Sequence, residues 1–252
     1  MSVLGVVRAP WRLLRLLTHL LHGLALAHWG WSGRSTAQRH ALVRWWSLKL
    51  LKVLGIRLQV RGVASTDARL VVANHVSWLD IAALHSVMPH VCFVAKDDIR
   101  HWPVVGPLVA AVDTLFIART SRRDAARMVS VIRDRLTSGG TVAVFPEGTT
   151  GPGWPILHFH ANLLQSAIEA QLGVQPVMLR WHAPGERFAA AAQYVGDTTL
   201  LTSLWRILCA QRLAVEIEVL APLASAGVQR RELADQARGV LEQALSQRTQ
   251  GD

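Results

Sequence analysis

Leu70-Val71-Val72-Ala73-Asn74-His75-Val76-Ser77-Trp78-Leu79-Asp80 carries four apolar residues into a polar turn, and Ile81-Ala82-Ala83-Leu84 follows. The apolar run reads as a strand and the segment after the turn as a helix. Loops that follow strands in α/β sheets are where ligands and chemistry gather. The turn holds a histidine and, five residues on, an aspartate. Imidazole titrates near neutrality, so it can take a proton from a hydroxyl and return it. The same residues also have a plainer reading. Ser77-x-x-Asp80 just before an apolar run is a helix-capping box, with His75 an ordinary loop residue.

Working outward, short apolar runs alternate with helical stretches from Gly55 onward. The pattern predicts strands over 58–63, 70–73, 91–95, 114–118, 141–145, 174–181 and 214–220. It predicts helices over 77–87, 103–112, 122–136, 160–172, 199–210 and 230–247. Such alternation argues for an α/β fold with a mixed, largely parallel sheet flanked by helices.

The first part of the chain has another pattern. Arg8, Arg12, Arg15, His19 and His22 fall in one stripe on a leucine-rich helix. In a second segment Leu42, Trp46, Leu50, Val53 and Leu54 share one face, and His40, Arg44, Ser47 and Lys52 share the other. Glycines, serines and a threonine in 30–36 make the hinge. We read 1–55 as an amphipathic two-helix hairpin lying on an anionic membrane surface, and 56–252 as the catalytic body. The alternative is a hairpin packed on its own domain. The arginines and histidines interrupt any transmembrane span. Ala25-Leu26-Ala27 resembles a signal-peptide cleavage site, but His19 and His22 break the apolar core such a peptide needs.

Composition agrees. Hydrophobic side chains make up 51% of 252 residues, enough for one sizeable core. Lys and Arg outnumber Asp and Glu by 27 to 17, a formal charge of +10 that calls for an anionic partner. The ten tryptophans suit a membrane interface. Nothing in the chain resembles a nucleic-acid reader, so a basic binding module is the weaker reading of that charge. Cys92 and Cys209 lack metal-ligand spacing and lie in apolar runs, as buried thiols do.

Two more segments carry chemistry. Phe145-Pro146-Glu147-Gly148-Thr149-Thr150-Gly151 follows a strand, and such a turn exposes backbone N–H groups that can cradle an anion, although Pro-Glu-Gly-Thr is also ordinary turn chemistry. Leu115-Phe116-Ile117-Ala118-Arg119 ends a strand with an arginine, the side chain suited to bidentate contact with phosphate.

Asn-His-x-Ser-x-x-Asp, then Phe-Ile-x-Arg, then Phe-Pro-Glu-Gly-Thr, in this order, resembles the glycerolipid acyltransferase family, whose best-known members are the lysophosphatidic acid (1-acylglycerol-3-phosphate) acyltransferases. The resemblance spans about 50–179. It takes in Lys96, Trp102-Pro103-Val104-Val105-Gly106 and the proline-bearing Val174-Gln175-Pro176-Val177. It implies that His75 is the general base, oriented by Asp80, and that the acceptor is bound by Arg119, Glu147, Gly148 and Thr149, with Lys96 beside them. Asn74, Ser77 or backbone N–H groups of their turn are the candidate oxyanion donors. The implied reaction moves an acyl chain from acyl-CoA or acyl carrier protein to the free hydroxyl of 1-acylglycerol-3-phosphate, with a lyso-ornithine lipid as the alternative acceptor. No metal and no cofactor is expected. The implied location is the cytoplasmic face of a bacterial inner membrane. There is no Gly-x-Ser-x-Gly elbow, which argues against an acyl-serine intermediate. Three positions depart from the family pattern: Asp113 stands for a common glycine, Ala118 for a frequent acid, and Thr150 for an arginine.

Overall fold

The computed structural model describes residues 3–117 and 121–250. Within them the chain runs α1 (Val3–Trp29), α2 (Thr36–Leu54), β1 (Arg57–Arg61), β2 (Ala68–Ala73), α3 (Leu79–Val87), β3 (Val91–Lys96), α4 (Val105–Ala110), β4 (Leu115–Ile117), α5 (Arg122–Thr137), β5 (Thr141–Val144), α6 (Gln165–Ala170), β6 (Gly173–His182), α7 (Leu200–Cys209), β7 (Ala214–Val219) and α8 (Arg230–Gln250). The seven strands form one sheet in the order β1-β7-β6-β2-β5-β3-β4. Neighbours are parallel except β6 and β7. A parallel sheet needs helices on both faces, and the period-two pattern of β2 shows how this chain supplies them. Val71 and Ala73 join one core with residues of α1, α2, α3 and α7, whereas Leu70 and Val72 join another with α5, α6 and α8.

All seven expected strands form, each within a few residues of its expected ends. Two expected helices are shorter. In 103–112, which follows a 3-10 turn at Asp97–His101, Val104 takes φ +68°, so α4 starts only at Val105 and ends at Ala110. The stretch 160–172 divides into a 3-10 turn at Ala161–Leu164 and the short α6. Asp113 has φ +55°, a left-handed conformation that favours glycine and that aspartate tolerates better than most side chains, which accounts for the substitution there.

The N-terminal helices are a hairpin, but one docked on the body. Ser35 caps α2 with a capping box completed by Gln38, and Gly55 ends it at φ +74°. α2 packs on α3, and α1 packs on α7. Arg12 donates to the carbonyls of Leu208 (2.9 Å) and Ala210 (2.7 Å), where α7 ends. His19 is buried, bonds the Trp46 carbonyl at 3.0 Å and stacks on the Trp46 ring. The basic stripe of α1 is therefore split: Arg12 and His19 serve packing, while Arg8, Arg15 and His22 face outward. Ser47, expected on the polar face of α2, is buried on the docked face. No described helix is long and apolar enough to cross a membrane.

At the antiparallel seam, Glu216 lies fully buried between Arg180 (3.0 Å) and Arg61 (3.2 Å), and Arg248 of α8 reaches both Glu216 and Glu218. A buried charge is tolerable only when paired in this way.

His85 is a different buried polar group. It stacks on Phe93, and its Nε2 has no hydrogen-bond partner among the described residues. Burial lowers its pKa from 6.5 to about 4. As pH falls, the unfolded chain takes up the proton first, so stability is lost between pH 6.5 and about 4. His85→Phe should stabilise the fold at neutral pH by about 1 kcal/mol, by removing the orphaned nitrogen. It should also flatten that acid slope in chemical denaturation. An unchanged slope would show that His85 is protonated inside the fold.

Candidate active site

β2, β5, β3 and β4 are parallel, so their C-terminal ends lie along one edge of the sheet. His75 follows β2, the Glu147 turn follows β5, and Lys96 ends β3 with its side chain exposed. Arg119, after β4, lies outside the described residues, as does Ala118.

His75 Nδ1 meets Asp80 Oδ2 at 2.8 Å. The same oxygen accepts the backbone N–H of Val76 (2.7 Å) and of Ser77 (2.9 Å). The other oxygen accepts the indole N–H of Trp181 at 2.6 Å. A fully buried carboxylate is thus held by four donors from two parts of the chain. The capping-box reading is met only in part: Asp80 reaches back to the Ser77 N–H, but the Ser77 hydroxyl accepts the N–H of Leu79 and not that of Asp80, and the same carboxylate oxygen holds the imidazole. Because Asp80 sits at the start of α3 and His75 before it, a five-residue separation closes into a pair. With Nδ1–H given to the carboxylate, Nε2 is the basic nitrogen of the neutral ring. One face of that ring stacks on Phe145, with centroids 4.0 Å apart and planes 11° apart.

The Phe145–Gly151 turn supports this from the next strand. Glu147 Oε1 accepts the N–H of His75 at 2.6 Å, and Oε2 accepts the N–H of Leu157 at 3.0 Å. Burial raises its pKa, and those two N–H groups work against the rise. Gly151 N–H donates to the His75 carbonyl at 2.7 Å. Glu147 therefore holds the two turns together, where the sequence suggested a substrate contact. Gly148 and Thr149 are exposed at the tip, and Gly148 takes φ +72° with His160 close against it. Thr150, in place of the family's arginine, donates its hydroxyl proton to the Tyr194 carbonyl. Tyr194 N–H donates in turn to the Val76 carbonyl at 3.0 Å, so 183–199 straps the His75 turn from the other side.

Asn74 and Ser77 do not serve as the sequence suggested. The Asn74 amide donates to the Leu179 carbonyl and accepts the Leu179 N–H, both at 2.8 Å, which clasps β2 to β6 beyond their ladder. Ser77 is completely buried, and its hydroxyl accepts the N–H of Leu79. Both side chains are spent on structure, and so are the backbone N–H groups of His75, Val76 and Ser77, which Glu147 and Asp80 accept. The sequence reading missed Trp181. Its only signal was a tryptophan at the end of an apolar strand, which reads equally well as core.

A family model described as Acyltransferase matches residues 57–180. The chain is 39% identical over 238 residues to the lyso-ornithine lipid O-acyltransferase of Pseudomonas aeruginosa, covering 92% of this chain and 91% of that protein. It is 41% identical over 149 residues to the 1-acyl-sn-glycerol-3-phosphate acyltransferase of Neisseria gonorrhoeae, covering 59% of this chain and 58% of that protein. Its fold is that of the 1-acyl-sn-glycerophosphate (LPA) acyltransferase PlsC from Thermotoga maritima, with a TM-score of 0.66 at 20% identity over 94% of this chain and 98% of that one. On the motif match and on identity along nearly the whole length of a relative, the chain belongs to the acyltransferase family.

Proposed function

We propose that the protein moves an acyl chain from an acyl thioester to the free hydroxyl of a lysolipid, with His75 as general base and Asp80 as its orienting partner. The observation that carries this is the 2.8 Å His75–Asp80 contact, made to a buried carboxylate that accepts three further N–H donors. Nε2 takes the hydroxyl proton as the oxygen attacks the thioester carbonyl. The tetrahedral intermediate expels the thiolate, which recovers the proton from the imidazolium and leaves as a thiol. Asp80 holds the tautomer and stabilises the cation. Gly148, Thr149, Lys96 and Arg119 are the groups we assign to the acceptor headgroup. Acyl-CoA or acyl carrier protein supplies the thioester, and the reaction asks for no further cofactor.

For the acceptor, the reading we favour is a lyso-ornithine lipid. The support is the match along almost the full chain to an enzyme named for that substrate, together with Thr150 where the family pattern has an arginine. 1-Acylglycerol-3-phosphate, giving phosphatidic acid, is the second reading. It draws on the Phe-Pro-Glu-Gly-Thr segment and on the Neisseria relative. Purified protein in mixed micelles, offered each acceptor with one acyl thioester, should release thiol and form diacylated product at least about tenfold faster with lyso-ornithine lipid. The reverse order selects the phosphate acceptor, and no thiol release with either sinks the assignment. In the same assay His75→Ala should lower turnover by ~10³ or more with near-normal thermal unfolding, and Asp80→Asn by ~10² or more with some loss of thermal stability, since its NH2 would face a buried N–H donor.

We also propose that the protein sits on the cytoplasmic face of a bacterial inner membrane through α1. Leu4, Val7, Trp11, Leu14, Leu17 and Leu21 form one outward stripe, and Trp11 is 63%, Leu14 56% and Leu21 67% exposed. Leu201 of α7, the helix against which α1 packs, is 78% exposed. Such an apolar face, interrupted by Thr18 alone and with Arg8 and Arg15 beside it, suits an anionic bilayer surface. Removing the hairpin would uncover the core it shares with α3 and α7, so charge substitution is the cleaner probe. Leu14→Glu with Leu17→Glu should release the protein from anionic vesicles while sparing turnover on a soluble short-chain acceptor. Retention on vesicles would overturn the placement.

A further inference from the structure

We infer that Trp181 is a positioning residue for the reaction: its indole N–H fixes the carboxylate of Asp80 and thereby sets the basicity of His75. The inference rests on the His75–Asp80 reading above.

Trp181 is almost completely buried near the end of β6. It pairs with Val215 of β7 in the ladder, and its carbonyl accepts the N–H of Ala189 at 2.8 Å. Its backbone is therefore held on both sides. The Asn74 clasp on Leu179, two residues earlier, locks β6 in register with the turn that bears His75. Within that frame the indole meets Asp80 Oδ1 at 2.6 Å, shorter than the usual N–H···O distance. The remaining donors, His75, Val76 and Ser77, all meet Oδ2. The Trp181 bond thus stops the carboxylate from rotating about its own axis. A carboxylate free to rotate would carry Oδ2 out of line with Nδ1.

The bond also has an electrostatic effect. It draws negative charge toward Oδ1 and away from the oxygen that faces the imidazole. The titratable groups bearing on Asp80 are His75 itself and Glu147 from the β5 turn, whose carboxyl is coupled to it. The other histidine of α3, His85, is turned to Phe93. Losing the indole N–H should leave Asp80 a stronger partner for the imidazolium and a less well oriented one. His75 then holds its proton to higher pH.

Trp181→Phe keeps an aromatic ring in place and removes the donor. The expected result is a fall in kcat of about tenfold, with KM for thioester and lysolipid unchanged within about twofold. The acid limb of kcat/KM should move up by about half a pH unit. An NMR titration of the His75 imidazole in micelles should show the same upward shift without relying on turnover. If Trp181→Phe does not fold, benzothienylalanine at position 181 carries the test, since sulfur replaces the N–H in a ring of the same shape. Lowered thermal stability with unchanged kcat, acid limb and imidazole titration would mean that Trp181 only packs, and would overturn the proposal. An active His75→Ala would instead overturn the general-base reading beneath it, so the two failures are distinguishable.

Discussion

The edge of the sheet where chemistry gathers is organised by one buried carboxylate. Asp80 has no contact with solvent, yet it accepts four N–H bonds. Ionising an acid in the interior is costly unless donors replace the lost water, and each donor here must then be held in place. Two come from the backbone that enters α3, one from the His75 ring and one from β6. The rest of the edge follows from holding those donors still. The Asn74 clasp fixes β6, Glu147 ties the β5 turn to the β2 turn, and the 183–199 strap closes over Val76. These groups are coupled, so their effects will not add as independent contributions.

The alternation of apolar runs gave away the strands because buried parallel strands admit little but apolar residues, and seven short runs between helical patterns leave few other arrangements. Boundaries failed where local conformation overrode pattern, as at Val104 with its positive φ and in 160–172, where a 3-10 turn takes the first residues. At the site, His75 and Asp80 were legible because their chemistry and spacing reinforce each other. Glu147, Asn74 and Ser77 were legible as special positions but not in what they do. A carboxylate at a strand end looks the same in sequence whether it faces a ligand or two backbone N–H groups. Trp181 was not legible at all, since its contact with Asp80 joins residues 101 apart and depends on strand order.

The hairpin shows a related ambiguity. A basic stripe on a leucine-rich helix predicts amphipathicity, but it does not say which side faces the protein. Here the answer is mixed. Arg12 caps the carbonyl end of α7 and His19 stacks on Trp46, so part of the polar stripe is a packing surface, while leucine and tryptophan face away from the core. The reading of a separate anchor and the reading of a docked hairpin therefore describe two sides of the same helix.

That arrangement has a consequence for how the chain reaches its fold. α1 spans Val3–Trp29, while the helix that covers its inner face, α7, spans Leu200–Cys209. At ribosomal speeds of about 5–20 residues per second, roughly ten to forty seconds separate the appearance of the two. Through that interval α1 can pack on α2, where His19 stacks on Trp46, but the side that α7 covers stays open. Whatever covers the apolar surface of α1 before α7 is made must leave the side facing that helix free. The Arg12 bonds to Leu208 and Ala210 join residues 196 and 198 apart, so the contact between α1 and α7 closes a loop that spans most of the chain.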